Sequence, residues 1–158
     1  MDDALKLAYK ILERSALSEK TLREHLAKKK VPEKIAESVI AKLKAVKLLS
    51  DKALAENMAQ SKVKNQLLGN TRVEQDLIQR GIPKDIVQSA VQKAAEDADS
   101  LTEEERAFQL VQKRAAQAPD KNWPKLKPRL FGYLARRGFD PDTIETALER
   151  YGGCSEKK

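Results

Sequence analysis

The stretch that decides the fold is 130–148, with the sequence LFGYLARRGFDPDTIETAL. Two earlier stretches have the same plan: LREHLAKKKVPEKIAESV at 22–39 and VEQDLIQRGIPKDIVQSA at 73–90. In each of them a short amphipathic helix ends on basic residues or glycine, an apolar residue follows, and a second amphipathic series begins. The chain therefore contains three copies of one helical motif.

The spacing of the copies indicates a repeat unit of several helices. The apolar residues that restart the chain, Val31, Ile82 and Phe139, lie 51 and 57 positions apart. This spacing is near the upper end of the range for repeat architectures and leaves room for three helices per copy. We predict an all-α protein of three tandem three-helix units. The predicted units are 1–50, 51–101 and 102–153, with a polar tail at 154–158.

The composition agrees with thin helical cores. Of the 158 residues 35% are charged and 4% are aromatic, which suits small units that bury Leu, Ile, Val and Ala against their neighbours. No run of eighteen apolar residues occurs, and the N-terminus lacks a basic segment followed by an apolar one. We therefore expect a cytoplasmic protein without a membrane partner.

The net charge of +7 is unevenly distributed along the chain. Residues 1–50 contain 12 Lys and Arg against 7 Asp and Glu, a net +5. Residues 51–105 contain 7 against 11, a net −4, and residues 106–158 contain 12 against 6, a net +6. Two basic ends around an acidic middle suit a polyanionic partner or one of mixed charge, although charged residues also simply keep a surface solvated.

Hydroxyl and carboxylate residues mark the predicted helix starts. Ser50 is expected to cap the first helix of the second unit. Thr71 with Glu74, and Thr102 with Glu105, have the spacing of a capping box, in which each side chain accepts a hydrogen bond from a backbone N–H. The carboxylates of the acidic run at 96–105 are expected to stabilise a helix N-terminus.

Proline and glycine predict further helix ends. Gly81 suits a C-cap with positive φ, while Pro32 and Pro141 are expected to be first helical residues, where a missing N–H has no cost. Pro124 and Pro128 do not fit comfortably inside one helix. The middle helix of the third unit is therefore expected to start near Pro128 or to be kinked there.

Residues for catalysis, metal binding or cofactor binding are scarce. His25 is the only histidine and lies beside an apolar position of a predicted helix, so an edge-of-core or surface role is expected. Cys154 is the only cysteine and is expected to be an incidental exposed thiol. No phosphate-binding glycine loop of the G-x-x-x-x-G-K type occurs. We predict no cofactor, no metal and no enzymatic activity.

Basic residues at the ends of the middle helices are the candidates for partner or DNA contacts. Cations at a helix C-terminus also interact favourably with the helix dipole, so each single position has a structural alternative. Arg129 and Arg136 are seven apart and should share one helical face. Trp123 is expected to pack the loop between helices, with a partner anchor as the alternative. The candidate residues are Lys28, Lys29, Lys30, Arg72, Arg80, Lys125, Lys127, Arg129, Arg136 and Arg137.

An ordered set of residues in all three units resembles the RecX family of regulators of the RecA recombinase. The resemblance spans roughly 4–152 and implies an elongated, curved array of three three-helix units. It also implies a monomer that binds in the groove of the RecA–DNA filament, usually inhibits RecA, and thereby regulates recombination, DNA repair and the SOS response. The residues are Ser18, Leu22, Leu26, Val31, Ile35, Val39, Leu48, Leu49, Ser50, Asp51, Ala55, Gly69, Arg72, Val73, Leu77, Gly81, Ile82, Leu134, Ala135, Arg136, Arg137, Gly138 and Phe139.

Two functional hypotheses follow. The first is a modulator of the RecA filament that binds single- and double-stranded DNA only weakly by itself. The second is a stand-alone, sequence-independent DNA-binding protein, because three-helix units with a basic short helix resemble helix-turn-helix modules. The net −4 middle favours the first, since a continuous phosphate-binding track should not carry an acidic segment at its centre.

Overall fold

The computed structural model describes residues 1–97 and 99–155, and the regular structure in these residues is helical. The all-α prediction is confirmed, with nine helices in the described ranges. Their bounds are α1 Asp2–Leu12, α2 Glu19–Lys28, α3 Glu33–Ala45, α4 Asp51–Lys64, α5 Asn70–Gln79, α6 Lys84–Glu96, α7 Glu103–Gln117, α8 Trp123–Arg136 and α9 Pro141–Ser155. The side chain of Cys154 and residues 156–158 of the predicted tail lie outside the described residues.

The helices pack into two compact units. One contains Met1–Met58 and Asp76–Ala90, and the other contains Ala59–Gln75 and the chain from Val91 onward. Helices α4, α5 and α6 each contribute residues to both units.

Both units have thin aliphatic cores, as the composition predicted. In the first, α1, α2 and α3 bury a cluster that includes Leu22, Leu26 and Leu43, all fully inaccessible to solvent. In the second, α7, α8 and α9 enclose a cluster that includes Leu134 and Leu148. Both clusters are mainly aliphatic, and Phe139, which is 5% exposed, adds one aromatic ring to the second.

The start of α2 is held by the first residue of α4 and by the turn that follows α5, in an arrangement we call the first junction. Ser18 caps α2 by accepting a hydrogen bond from the Thr21 N–H at 3.2 Å, and its hydroxyl donates to the Arg80 carbonyl at 2.6 Å. The Thr21 hydroxyl donates to the same carbonyl at 3.1 Å. The Asp51 Oδ1 accepts from the Glu19 N–H at 2.8 Å. Two of the free N–H groups of α2, those of Glu19 and Thr21, are thereby satisfied inside a packed contact.

The start of α5 is held in the same way at the second junction. Gly69 occupies the position of Ser18, and its N–H donates to the Arg137 carbonyl at 2.9 Å. The Asn70 N–H donates to Glu103 Oε1, also at 2.9 Å. Asp51 and Glu103 are the first residues of α4 and α7. In both junctions, therefore, a middle helix is capped by the acidic residue that opens the next three-helix group.

Most predicted caps are confirmed. Ser50 accepts a hydrogen bond from the Ala53 N–H at 3.2 Å. Thr102 and Glu105 form the complete capping box of α7, with bonds of 3.2 Å and 3.0 Å. Gly81 has the predicted positive φ of 80° at the turn after α5.

The capping box predicted for Thr71 and Glu74 is wrong. Helix α5 begins at Asn70, so Thr71 lies inside the first turn instead of capping it. The Asn70 N–H instead finds Glu103, which is distant in sequence. A cap supplied from another helix cannot be read from local spacing.

Two proline predictions differ in outcome. Pro141 begins α9 as predicted, and Asp140 before it accepts a hydrogen bond from the Thr143 N–H at 3.0 Å. Pro32 is the N-cap of α3 with an extended ψ of 140°, and Glu33 is the first helical residue. The prediction for Pro32 is therefore wrong by one position.

The predicted start of the third middle helix is also wrong. Helix α8 begins at Trp123 and continues through Pro128 to Arg136. Pro124 lies in the first turn, where its missing N–H removes no bond, but Pro128 leaves the Pro124 carbonyl without its usual donor. Leu126 is 7% exposed within the core of this unit, so packing of the added turn outweighs the lost hydrogen bond.

Glycine is required at the turns that belong to the junctions. Gly138 has φ of 87°, and a Cβ on it would lie 2.2 Å from the Cβ of Arg72. A Cβ on Gly69 would lie 2.2 Å from the carbonyl oxygen of Gly138. Lys30 has the equivalent position after α2 and a φ of 60°, but its side chain is exposed. A side chain is tolerated at Lys30 because it extends into solvent.

We expect opposite effects from substitutions at these equivalent turns. Gly138→Ala should lower the free energy of unfolding by at least about 2 kcal/mol, because a left-handed residue costs about 1–2 kcal/mol and the Arg72 backbone must also move. Lys30→Gly should raise it by up to about 1 kcal/mol, because the left-handed strain is removed. Urea unfolding followed by circular dichroism measures both. Equal effects of the two substitutions would refute the close packing at the second junction.

The first junction should make stability depend on pH through Asp51. Burial raises the pKa of Asp51 above its usual range, with the hydrogen bond from the Glu19 N–H opposing the shift. The folded state therefore binds this proton more tightly than the unfolded chain, and stability is lost as the pH rises through the folded pKa. Asp51→Asn keeps an oxygen acceptor and removes this loss. Its stability relative to wild type should increase as the pH rises above the ordinary pKa of an aspartate, about 4.

The matched control is Asp85→Asn, which removes an exposed carboxylate from the first turn of α6. Urea unfolding at several pH values compares the two variants with wild type. If the stability of Asp51→Asn instead declined relative to wild type with rising pH, the ionised carboxylate would be the form favoured at the junction.

Candidate interaction surface

Three predicted lysines form the exposed end of α2. Lys28 is the last helical residue, Lys29 is the C-cap and Lys30 adopts the left-handed turn. All three are exposed. We call Lys28–Lys30 the lysine end. His25, one turn earlier, is also exposed, and its Nδ1 lies 2.8 Å from the Thr21 carbonyl, which confirms the surface role predicted for it.

Arg72 and Arg80 have exposed side chains but lie in the junctions. The carbonyl of Arg80 accepts the hydroxyl hydrogen bonds of Ser18 and Thr21. The backbone of Arg72 packs against Gly138. Both positions therefore contribute to the fold through their backbone, whatever their side chains bind.

Arg129 and Arg136 lie on one face of α8, as their spacing predicted, and line the same groove. The groove lies along α7 and α8, has a volume of about 480 Å³, and includes Arg114 as a third arginine. Leu126 and Leu130 form part of its apolar lining. We call this the arginine groove.

The two upstream lysines do not line the arginine groove. The Lys125 Nζ lies 4.0 Å from a carboxylate oxygen of Asp120, and the Lys127 Nζ lies 3.4 Å from one of Glu145 on α9. These exposed ion pairs contribute little to stability. Because of these contacts, Lys125 and Lys127 do not share a surface with Arg129 and Arg136, with which the sequence analysis grouped them.

Arg137 is held more firmly than the other candidates. Its guanidinium donates to the carbonyl of Gln66 and lies 5.6 Å from the ring centre of Tyr133. Arg114 lies 5.3 Å from the same ring. Arg137, Arg114 and Lys113 line a second groove of about 400 Å³, which shares Tyr133 with the arginine groove. Tyr133 thus positions two guanidinium groups by cation–π contact.

Sequence reasoning missed Lys113, Arg114 and Tyr133. They belong to two different helices, α7 and α8, and come together only because these helices pack. The adjacent pair Lys113–Arg114 was a visible signal, since two neighbouring cations in a basic segment favour an exposed face. Its relation to Arg129 and Arg136 required the tertiary structure.

Arg106 was counted with the basic third unit, but it is fully buried. Its guanidinium donates to the Leu68 carbonyl at 3.2 Å, the Leu101 carbonyl at 2.8 Å and the Asn70 side-chain oxygen at 2.6 Å. Burial lowers the pKa of Arg106, and the nearby Glu103 carboxylate opposes that shift. An arginine remains charged under such conditions. Arg106 therefore supports the second junction and adds nothing to the exposed charge.

Trp123 is the first residue of α8 and so does not lie in a loop as predicted, but its side chain does pack within its own unit. Its ring centre lies 5.5 Å from that of Tyr151 on α9, and it is partly buried against the core of α7, α8 and α9. The aromatic pair covers the start of α8.

Comparison with known proteins places these features in a family. Family models described as the first, second and third three-helix domains of RecX match residues 4–43, 50–91 and 102–148, in that order. The regulatory protein RecX of Thermotoga petrophila is 32% identical over 152 residues, which cover 96% of this chain and 86% of that relative. The chain belongs to the RecX family.

Further relatives agree with this assignment. The regulatory protein RecX of Clostridioides difficile is 32% identical over 143 residues, and the match covers 90% of this RecX-family chain and 65% of that protein. The present chain therefore spans less than two thirds of the length of that relative. The crystal structure of RecX from Lactobacillus salivarius shares the fold, with a TM-score of 0.81, 19% identity and 94% of each chain covered.

Two kinds of feature are absent from the described ranges. No helix there is both long and apolar enough to cross a bilayer. Within the same residues, no three His, Cys, Asp or Glu side chains come close enough to hold a metal ion.

Removing the buried arginine should destabilise the protein strongly. Arg106→Met keeps an apolar stem but leaves the Leu68 and Leu101 carbonyls and the Asn70 side chain without their donor. We expect a loss of about 3–5 kcal/mol in the free energy of unfolding. The matched control is Lys113→Met, which replaces an exposed cation on the same helix. It should change the free energy of unfolding by less than about 0.5 kcal/mol. Chemical denaturation measures both, and a small loss for Arg106→Met would show that its three bonds are dispensable.

Proposed function

We propose that this RecX-family protein binds the filament that RecA forms on DNA and inhibits RecA. Through that inhibition it would limit recombination, DNA repair and the SOS response. The observation that carries the proposal is the match of all three RecX three-helix domains, in order along the chain. A regulator of RecA acts where the DNA is, so we further propose that this protein is cytoplasmic. We also propose that it acts as a monomer.

The distribution of charge supports contacts with protein as well as DNA. The lysine end and the arginine groove are basic and exposed, whereas residues 51–105 are net acidic. Several acidic residues of that segment are already engaged in helix capping, including Asp51 and Glu103. A filament groove formed by protein and DNA offers both signs of charge, so it suits this pattern better than a bare phosphate backbone does.

Stand-alone DNA binding remains the competing function, and salt dependence separates the two. A protein that neutralises about six phosphates should lose affinity for DNA with a log–log salt slope near −5, which is about a thousandfold between 50 and 200 mM. A filament modulator should bind filaments more tightly, and with a shallower slope, than it binds the same DNA without RecA. Equal affinities with equal slopes would favour the DNA-binding protein.

Substoichiometric addition of this protein should lower the DNA-dependent ATPase activity and strand exchange of its cognate RecA. The physical reason is that a protein with several basic surfaces can contact more than one filament subunit. The measurement is ATP hydrolysis on single-stranded DNA, together with co-sedimentation of this protein with the filament. Unchanged ATPase activity at saturating protein would refute inhibition.

The variants for this experiment follow from the exposed side chains. Arg129→Ala with Arg136→Ala should weaken filament binding by about tenfold or more, since arginine is enriched among the hot-spot residues whose truncation costs about 2 kcal/mol or more. Arg137 is omitted because it supports the fold through Gln66 and Tyr133. Lys6→Ala with Lys10→Ala on α1 is the charge-matched control and should bind like wild type.

A further inference from the structure

The arginine groove has a lining of unusual composition. Its cations are Arg114, Arg129 and Arg136, and none of its lining residues is acidic. The volume of about 480 Å³ is large enough for a few side chains of a ligand. Three guanidinium groups around one concavity favour a ligand that presents carboxylates, because each guanidinium can bind a carboxylate through two parallel hydrogen bonds.

Much of the remaining lining is apolar. Leu126 and Leu130 form its floor and are themselves buried, while Ala118, Pro119 and Pro128 supply the apolar surface that a ligand can reach. A sugar–phosphate backbone would leave this apolar surface without a matching group, whereas a peptide can place an aliphatic or aromatic side chain against it. The combination of arginines with an apolar lining therefore favours a peptide over a nucleic acid.

Gly132 keeps the groove open. It lies in the interior of α8, where glycine costs about 0.5–1 kcal/mol relative to alanine. It lines the groove, and a Cβ there would lie 3.4 Å from a terminal nitrogen of Arg136. The helical backbone does not require glycine at this position. Glycine differs from other residues here only in having no side chain. A larger side chain would fill the space beside Arg136.

One arginine is already held in place before a ligand arrives. The guanidinium carbon of Arg114 lies 5.3 Å from the centre of the Tyr133 ring. The cation–π contact limits the rotamers of Arg114, so less conformational entropy is lost when a carboxylate binds. Gln117 on the same helix also lines the groove and can both donate to and accept from a peptide backbone.

We infer that the arginine groove binds an acidic peptide segment of the recombinase, anchored by an apolar side chain between Asp or Glu residues. This inference rests on the proposed function. It adds the chemical nature of the partner segment and the place on this chain where that segment binds.

The test uses the full-length protein with recombinase filaments on single-stranded DNA. Wild-type protein is first shown to co-sediment with the filaments, and absence of co-sedimentation would overturn the proposed function and this inference together. A diazirine-bearing amino acid is then placed at Gln117, where it reacts with protein and DNA alike. We expect a crosslink to a recombinase peptide that contains Asp or Glu beside an apolar residue. A crosslink to DNA, to a segment without acidic residues, or to nothing would overturn the groove inference alone.

Gly132→Leu separates groove occupancy from electrostatic attraction, because it fills the groove and leaves every charge in place. We expect filament affinity to fall about tenfold or more. Ala135→Leu adds the same side chain to an exposed position of α8 outside the groove lining and should bind like wild type. Wild-type affinity of Gly132→Leu, or an equal loss in both variants, would place the contact elsewhere.

A second variant keeps the test decisive if Gly132→Leu folds poorly, which circular dichroism would reveal. Arg129→Glu with Arg136→Glu changes exposed side chains only. It should abolish the crosslink from Gln117 to the acidic segment while the protein stays folded. A crosslink that persists at wild-type yield in this variant would overturn the inference.

Discussion

The structure depends on carboxylates that satisfy the buried starts of the middle helices. Asp51 caps α2 and Glu103 caps α5, and each is the first residue of the helix that opens the following three-helix group. A helix start packed against other backbone has N–H groups that water cannot reach, so a fixed acceptor must replace it. Burial raises the pKa of both Asp51 and Glu103. Removing these charged carboxylates from water is therefore unfavourable, and it offsets part of the stabilisation from their hydrogen bonds. Each of the first two three-helix groups is thus joined to the following group by a hydrogen bond from its middle helix to the side chain of that following group's first residue.

The repeats use one turn geometry with different side chains, and the difference follows from what packs on each turn. Lys30, Gly81 and Gly138 all have left-handed backbones. Gly138 lies against Arg72 and cannot carry a side chain, whereas Lys30 is exposed and can. Helix α8 has 14 residues where α2 and α5 have 10, and Leu126 stands within it at the position of Ser18 and Gly69. Among the described residues the last group therefore has no equivalent of the earlier junctions, as is common for terminal repeats.

Charge in this protein has separate structural and surface roles. Arg106 is counted in the net +6 of residues 106–158, yet it is buried among backbone carbonyls. Arg137 is partly used in the same way through Gln66, while Arg114, Arg129 and Arg136 surround one open groove. The surface available to a partner is therefore smaller and more specific than the net charge suggests. Arginine suits both roles because its planar guanidinium can serve several acceptors at once.

The amino-acid sequence by itself determined the helical class, the three copies, most helix ends and the shared face of Arg129 and Arg136. These features depend on periodicity, capping residues and glycine, which act within about one or two helical turns. Only the tertiary structure decided that Asn70 is capped by Glu103, that α8 includes Pro128, that Arg106 is buried, and that Arg114 joins the groove. The physical reason is common to all four. Each depends on a hydrogen bond or a packing contact with another helix, and a local pattern carries no information about which distant group supplies it.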